Sequence, residues 1–199
     1  MGGRRGSALL DLLDGRFGLG PGPRTALGEL IEPLSIGRGE RLLRPGRRCE
    51  SLWFLSEGAM RSISADEGGD EFTFFLFFEG SFVSDLRSLL SGEPSRFAIE
   101  ALEPCRLETL PYRKLQLFLD GHPAAQGAFR ALLETAYVEL DRRAESLLLE
   151  SAVDRYLGFL RRYGNQATRI PQHVVASWLG IKPESLSRIR RRLGRTSRP

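Results

Sequence analysis

The stretch RIPQHVVASWLGIKPESLSRIRRRL, Arg169 to Leu193, decides the fold of the carboxyl-terminal part of the chain. Pro171 and Pro183 each suit the first turn of a helix, because the fixed φ of proline matches helical backbone and its missing N–H would have no partner there. Gly180 permits the left-handed backbone that commonly ends a helix. The spacing therefore predicts two short helices, Pro171 to Gly180 and Pro183 onward, joined by a tight turn.

The apolar residues of this stretch recur at helical spacing. Ala176 lies four positions before Gly180 and is small enough for two helices to cross there. At about 100° per residue, Glu184, Ser187 and Arg188 point away from the apolar side of the second helix. We expect a helix-turn-helix unit with a polar, basic outer face, although a plain helical hairpin would share this amphipathicity. The residues expected to be buried are Val175, Leu179, Ile181, Leu186 and Ile189.

Charge is distributed unevenly along the 199 residues. Residues 151–199 contain 11 Lys and Arg against 2 acidic residues, a net charge of +9, whereas residues 1–150 contain 18 against 23, a net charge of −5. A basic module displaces counterions from phosphates and so gains an affinity for nucleic acid that falls with salt. We therefore expect the carboxyl-terminal domain to bind double-stranded DNA.

Several functional classes find no support in the sequence. Cys49 and Cys105 are the two cysteines, too few for an iron–sulfur cluster or a structural zinc site, so we expect reduced thiols and neither metal nor cofactor. No apolar run approaches the roughly 20 residues that a helix needs to cross a bilayer. The apolar segment in the amino-terminal sequence MGGRRGSALLDLL is too short for a secretion signal. We expect a cytoplasmic protein without membrane contact. No local motif suggests a catalytic set, so no enzyme is predicted.

The amino-terminal half divides into two segments. Residues 1–28 are rich in Gly, Pro and Arg and predict a loosely ordered start, with a helical turn or two at Ala8 to Leu13. Residues 29–121 consist of short apolar stretches between turn signals, which is typical of an antiparallel β barrel or sandwich. Gly68-Gly69 predicts a hairpin turn. The predicted strands are Arg41–Leu43, Ser51–Leu55, Ala59–Ala65, Glu71–Phe78, Arg96–Ala101 and Arg106–Leu110.

Aromatic residues are concentrated in FTFFLFF, Phe72 to Phe78. Alternation places four of these seven side chains on one face of a strand and three on the other, as expected of a strand that is covered on both sides. This arrangement favours core packing over a ligand pocket.

Residues 122–150 change to a helical period that lasts about seven turns. So long an apolar stripe favours a two-fold dimer with this helix along the axis, and packing on the protomer's own β domain is the alternative. Ser151 and Asp154 then predict the N-cap of a further helix, Ala152 to Arg162, which ends at Gly164-Asn165. The stripe also includes Ala144 and Leu148, and its predicted interface residues are Phe129, Leu132, Leu133, Ala136, Leu140 and Leu147.

In this order of elements the chain resembles the Crp/Fnr (cyclic AMP receptor/fumarate-nitrate regulator) superfamily of bacterial transcription regulators. The resemblance rests on FLSEGAMR with Gly58 and Arg61, EGSFVSDL, SAVDRYLGFL and the stretch quoted first, and it covers the chain from about Leu30. It implies an α+β fold: a cyclic-nucleotide-binding-like β-roll (jelly roll), a long dimerisation helix and a helix-turn-helix domain over residues 151–199. It also implies a homodimer that binds DNA and contacts RNA polymerase.

The resemblance assigns roles within the second helix of the unit. Glu184, Ser187 and Arg188 fall on the Glu-x-x-Ser-Arg positions with which the fumarate-nitrate branch reads bases, and the implied half-site is similar to TTGA, repeated as an inverted pair. Pro183 stands where the cyclic AMP receptor branch carries a base-contacting Arg. The residues expected to anchor phosphates are Gln172, Lys182, Ser185, Arg191 and Arg192.

The effector site departs from the family pattern. Members that bind cyclic nucleotide carry Gly-Glu-Leu and, about ten residues later, Arg-Ser/Thr-Ala, whereas this chain has Ser84-Asp85-Leu86 and Ser95-Arg96-Phe97. Asp85 is one carbon shorter than Glu, and a shift of Arg96 by one position turns its side chain to the other face of a strand. We expect a degenerate pocket that does not respond to cyclic AMP, with the small-molecule effector unidentified. Ser84, Asp85, Leu86, Ser95 and Arg96 define this pocket.

Two other functional classes remain as alternatives to a transcription regulator. The chain could be a ligand-binding or scaffold protein whose carboxyl-terminal helices make protein contacts, or, as a third interpretation, an enzyme. Binding to DNA that depends on salt and on Arg188 would separate the first of these from a regulator.

Overall fold

The computed structural model describes residues 6–66 and 68–196, with side chains as far as Leu193. It confirms the predicted α+β class: antiparallel sheets, a long helix and a set of carboxyl-terminal helices. The chain forms two compact units. The β-roll unit comprises Met1–Ser62 and Leu76–Thr135, and the C-terminal unit comprises Ile63–Phe75 and Ala136–Pro199. This division passes through the long helix and does not coincide with the predicted segment boundaries.

Over the described residues, eight strands form two four-stranded sheets. The first sheet has the order β1 (Glu32–Ile36), β8 (Cys105–Pro111), β3 (Ser51–Glu57) and β6 (Phe82–Val83). The second has the order β2 (Arg41–Leu43), β7 (Ala98–Ala101), β4 (Met60–Ala65) and β5 (Glu71–Phe77). Strand β8 is central to the first sheet, because it pairs antiparallel with β1 on one side and with β3 on the other.

Strand β3 is covered on both faces because its side chains alternate. Trp53 and Leu55 belong to the core shared by the strands of both sheets. Leu52 and Phe54 belong to a second core, which lies between the first sheet and a layer of helices. The run SLWFLSE therefore reads as nearly continuous apolar sequence, as a doubly covered strand does.

The amino-terminal segment is more ordered than its composition predicted. Its described part forms α1 (Ala8–Phe17) and α2 (Pro21–Leu30), whereas loose order was expected for residues 1–28. Both helices contribute leucines to the second core, and the Ser7 hydroxyl accepts a hydrogen bond from the Leu10 N–H at 3.1 Å. The glycines and prolines that suggested disorder fall largely at helix ends, where they are compatible with helix formation. Residues 1–5 lie outside the described range.

The six predicted strands are present, with ends within two residues of those expected. Strands β1 and β6 were not predicted, because β6 has two residues and β1 contains a proline. The expectation that the aromatic strand is covered on both sides is wrong at its start. Phe72 is 49% exposed, while its neighbour Thr73 is buried.

The remaining helices are α3 (Leu86–Ser91), α4 (Tyr112–Gly121), α5 (Pro123–Leu149), α6 (Ala152–Tyr163), α7 (Gln172–Trp178) and α8 (Pro183–Thr196), with a 3₁₀ helix at Gly164–Arg169. Helices α5 and α6 lie where the sequence predicted them. The Ser151 hydroxyl caps α6 by accepting from the Asp154 N–H at 3.2 Å. Within the described residues, no helix has both the length and the apolar character that crossing a bilayer requires.

Both cysteines are free and buried in the core of the β-roll unit. Burial raises the pKa of both thiols, and that of Cys105 reaches about 11. A raised pKa keeps a thiol protonated near neutral pH, which makes it a poor nucleophile. The free state of both cysteines agrees with the expectation of reduced thiols.

Gly58 lies in the turn between β3 and β4, in a backbone conformation that residues with a side chain rarely adopt. Its φ is 105°, and a Cβ placed there would lie 2.6 Å from the Cys105 sulfur and 2.7 Å from the Pro104 carbonyl oxygen. Both the backbone angle and the close approach therefore require glycine. The glycine in FLSEGAMR has a structural explanation that is independent of any family resemblance.

Gly58→Ala is expected to lower the free energy of unfolding by about 2–4 kcal/mol, because backbone strain and overpacking add. Urea unfolding followed by far-UV circular dichroism measures this change. Gly127→Ala is the matched control: Gly127 lies within α5 with open space around its Cα, so alanine there should be neutral or stabilising by up to about 1 kcal/mol. Equal stability of the Gly58 variant and the natural protein would contradict this account of the turn.

Candidate nucleic-acid interface

A defined helix cap forms the turn between α7 and α8. Gly180 has φ 67°, the Ile181 N–H donates to the Ala176 carbonyl at 3.0 Å, and the Gly180 N–H donates to the Ser177 carbonyl at 3.1 Å. This pair of bonds is a Schellman motif, which satisfies carbonyls that the end of a helix leaves unpaired. Pro171 serves as the N-cap of α7, which begins at Gln172, one residue after the predicted start, and Pro183 opens α8 as predicted.

The two helices bury the apolar residues expected of such a unit. Ala176 and Leu179 are inaccessible to solvent, and Leu186 is buried on the inner side of α8. Ile181 and Ile189 are partly buried. The inner side of α8 is therefore fixed by packing, which determines which of its side chains face outward.

Glu184, Ser187 and Arg188 are all exposed on α8. The Arg188 guanidinium donates to the Ser185 hydroxyl at 3.0 Å, which holds the long side chain along the outer face of the helix. The face thus combines a carboxylate acceptor, a hydroxyl and a guanidinium within two turns. These groups can form the hydrogen bonds that base edges in a major groove offer.

The residues predicted to contact phosphates surround this face. Gln172, Lys182, Arg191 and Arg192 are exposed, and Ser185 is partly buried. Gln172 is the first residue of α7, Lys182 directly precedes α8, and the two arginines lie on α8. They come from both helices of the unit, as contacts to a nucleic acid backbone on either side of a groove require.

Arg143 of α5 is a residue that the sequence analysis missed. It is 7% exposed, and its guanidinium lies 4.1 Å from the centre of the Trp178 ring. It donates to the Phe74 carbonyl at 3.2 Å, to the Thr73 carbonyl at 3.4 Å and to the Trp178 carbonyl. One side chain thus connects α5, β5 and the end of α7. The sequence signal that could have identified Arg143 is its position directly beside the apolar stripe of α5, where a charged residue is unexpected.

Ser177 makes a further contact between α7 and β5. Its hydroxyl accepts from the Thr73 N–H at 2.7 Å and donates to the Glu71 carbonyl at 2.8 Å. Both partners lie in Ile63–Phe75, the hairpin that groups with the C-terminal unit. The hairpin therefore forms hydrogen bonds directly with the first helix of the helix-turn-helix unit.

Helix α5 presents two different faces. Phe129 and Leu132 were predicted as interface residues, but they pack against the second core of the β-roll unit, where the Phe129 and Tyr112 ring centres are 6.5 Å apart. Leu133 and Ala136 are partly buried, whereas Leu140 and Leu147 are exposed. An apolar series, exposed except for the partly buried Leu133, runs along the other face at spacings of four and three residues: Leu133, Tyr137, Leu140, Ala144 and Leu147.

The predicted effector residues bond to one another or face solvent. Asp85 is buried at the start of α3, where one carboxylate oxygen accepts from the Ser88 N–H at 3.2 Å and the other accepts from the Ser95 hydroxyl at 2.6 Å. The Ser84 hydroxyl lies 3.3 Å from the Cys49 sulfur. Leu86 is partly buried and Arg96 is exposed. The carboxylate therefore has its partners within the protein, and Arg96 does not point into the β-roll.

Comparisons with known proteins agree with this architecture. Residues 33–122 match the cyclic nucleotide-binding domain family. The cAMP-activated global transcriptional regulator CRP of Pasteurella multocida is 20% identical over 160 residues, which cover 74% of this chain and 76% of that protein. The global nitrogen regulator of a Synechocystis species is 26% identical over 136 residues, which cover 66% of this chain and 60% of that protein.

A solved structure shows the same fold. The c-di-GMP-responsive global regulator CLP of Xanthomonas campestris superposes with a TM-score of 0.71 at 17% identity, covering 88% of this chain and 92% of that chain. The names of the relatives describe regulators with different effectors, cAMP for one and c-di-GMP for another. Likeness of fold therefore does not identify an effector.

Proposed function

We propose that the chain is a dimeric transcription regulator of the Crp/Fnr superfamily that binds a specific DNA sequence; its cyclic nucleotide-binding domain and its similarity to regulators of this kind support the proposal. The exposed face of α8 is the observation that carries this proposal. Glu184, Ser187 and Arg188 face solvent because Leu186 is buried beneath them. By the same resemblance, the regulator acts in the cytoplasm and contacts RNA polymerase.

Each outward residue of α8 has a suitable partner on a base edge. Arg188 can donate two bonds to guanine O6 and N7, Glu184 can accept from cytosine N4, and Ser187 can contact a base edge or a thymine methyl group. By resemblance, the half-site is similar to TTGA and is repeated as an inverted pair about one helical turn apart. The net charge of +9 on residues 151–199 supplies the affinity for phosphate that does not depend on sequence.

The exposed series on α5 supports dimerisation. Spacings of four and three residues are those of a coiled-coil seam, in which two helices bury one apolar stripe each. Leu140, at the middle of the series, is 43% exposed in the single chain. A twin helix packed along this stripe would cover it and would bring two α8 helices to inverted half-sites.

The geometry of the β-roll supports the proposal that the regulator does not respond to cyclic AMP. A clamp for the cyclic phosphate and ribose needs an arginine that points into the roll and a carboxylate that is available as an acceptor. Arg96 is exposed, and both carboxylate oxygens of Asp85 accept hydrogen bonds from the protein. Opening the site for a nucleotide would first require breaking buried hydrogen bonds, which is unfavourable.

Arg188→Ala should weaken binding to a fluorescent inverted TTGA repeat by about 1–3 kcal/mol, because it removes a bidentate base contact, and should relax preference at one base pair. Arg191→Ala should instead weaken binding to all sequences and lower the salt slope by about 1. Fluorescence anisotropy across a salt series measures both quantities. Arg113→Ala is the control: it removes one positive charge from an exposed position on α4 and should leave the affinity for DNA unchanged. A DNA affinity that changes neither with salt concentration nor on Arg188→Ala would contradict the proposal.

Leu140→Glu should convert the dimer to a monomer, because two carboxylates would be buried against each other at the seam. Sedimentation velocity at micromolar concentration resolves the two species. Val138→Glu is the control, since Val138 is exposed on α5 but lies outside the series. A Leu140→Glu protein that remained dimeric, or an equal effect of Val138→Glu, would place the dimer interface elsewhere.

Cyclic AMP and cyclic GMP should give no saturable heat in calorimetric titrations, up to a concentration of about 1 mM. The physical reason is that Arg96, the arginine beside the expected clamp position, is exposed and does not pair with a phosphate inside the roll. An isotherm with a micromolar Kd for either nucleotide would show that the site rearranges to form the clamp.

A further inference from the structure

A cavity of about 260 Å³ lies within the C-terminal unit, between α5, α6 and α7. Its lining includes three aromatic rings, those of Phe159, Tyr163 and Trp178, which are in mutual contact with centres 5.1–5.9 Å apart. It also includes four arginines, Arg142, Arg143, Arg155 and Arg162. The volume is slightly below the roughly 300–1,000 Å³ of cavities that hold drug-sized ligands, so it suits a small metabolite.

Arg143 provides a buried hydrogen-bond donor without a partner. Its Nε and Nη2 donate to carbonyl oxygens, but Nη1 is buried and has no hydrogen-bond partner among the described residues. Burial lowers the pKa of Arg143 to about 10; nearby Tyr163 acts against this shift, and the charges of Arg155 and Arg162 add to it. A buried cation without a counter-ion is unfavourable, and buried donors are normally satisfied.

The carboxylates around the cavity do not compensate this charge. Glu139 forms its ion pairs with Arg162 and, at 3.5 Å, with Arg142. Glu150 accepts from the Ser146 hydroxyl at 2.6 Å and is exposed. Glu145, also in the lining, is exposed to water. Across the part of the chain that the structure describes, Arg143 has no carboxylate partner within 4.0 Å.

Arg155, which also lines the cavity, likewise has neutral hydrogen-bond acceptors. Its Nε donates to the Leu179 carbonyl at 2.9 Å and its Nη1 to the Glu150 carbonyl at 2.6 Å, and both of these acceptors are neutral oxygens. Two guanidinium groups thus flank one cavity with carbonyl oxygens as their hydrogen-bond acceptors. Guanidinium groups bind carboxylates and phosphates more strongly than they bind neutral acceptors.

We propose that this cavity binds a small anion carrying carboxylate or phosphate groups, whose oxygens accept hydrogen bonds from Nη1 of Arg143 and from the guanidinium of Arg155. Its aromatic residues provide a surface for the uncharged part of the ligand. This site is distinct from the β-roll pocket, because every lining residue belongs to the C-terminal unit.

The two arginines connect the site to the helix-turn-helix unit. Arg143 donates to the carbonyl of Trp178, and Arg155 donates to the carbonyl of Leu179, which are the last residues before the turn at Gly180. An anion that draws these guanidinium groups into the cavity competes with those carbonyls and shifts the position of α7. Control of DNA binding by the anion rests on the proposed function, whereas occupation of the site does not.

The full chain offers a specific reporter, because its two tryptophans are Trp53 and Trp178, and the second lines the cavity. In a Trp53→Phe variant the emission comes from Trp178. Titration with sodium phosphate and with sodium succinate, against sodium chloride at equal ionic strength, should give a saturable change with a Kd of about 1 mM or tighter for at least one of the two anions. Saturation by phosphate alone, by succinate alone or by both supports the site and identifies the preferred anion.

Variants assign the response to the cavity. Arg143→Gln and Arg155→Gln should each weaken binding by about tenfold or more, because each removes a charged donor. Arg161→Gln is the matched control, since Arg161 is an exposed arginine of α6 outside the lining. If Arg143→Gln does not fold, Arg155→Gln and thermal unfolding of the unaltered chain in each anion provide the same test.

No response to either anion beyond that to chloride, or equal weakening by Arg161→Gln, would overturn the proposal. Measuring DNA binding in parallel separates the two claims. A saturable anion response in a protein that binds no DNA supports the site and rejects the proposed function. DNA binding in a protein without an anion response rejects the site alone.

Discussion

Burial of Leu186 on the inner side of α8 is the constraint on which the functional surface depends. With Leu186 inside and Ala176 inaccessible to solvent on α7, the rotation of α8 about its axis is fixed, and Glu184, Ser187 and Arg188 face outward. The turn at Gly180 fixes the angle between the helices through two backbone hydrogen bonds. A recognition surface needs side chains held in this way by packing beneath them, because contacts to base edges depend on position.

A second constraint is that the two faces of α5 have different roles. One face packs within the protomer, through Phe129 in the β-roll unit and Arg143 in the C-terminal unit, and the other carries the apolar series centred on Leu140. Arg143 also bonds to carbonyls of β5 and α7. The helix that carries the apolar series therefore holds the end of α7 directly. In a dimer, this arrangement would make the spacing of the two α8 helices depend on α5.

Local chemistry accounts for what the sequence predicted, and tertiary contacts account for what it did not. Proline and glycine positions and a 3.6-residue period identified α5, α7 and α8, because these signals act within one element. The same signals misled at residues 6–28, where the order comes from leucines that pack against a distant sheet. Arg143 was missed because its partners are carbonyls at Phe74 and Trp178, far away in sequence, and no spacing rule reports such contacts.

Selection of bound DNA from a random pool tests the central claim most directly, because it examines the outward face of α8 and the pairing of two chains in one measurement. The account predicts enrichment of an inverted repeat with half-sites similar to TTGA, their centres about one helical turn apart. Enrichment of an unrepeated sequence, or no enrichment above the starting pool, would contradict it.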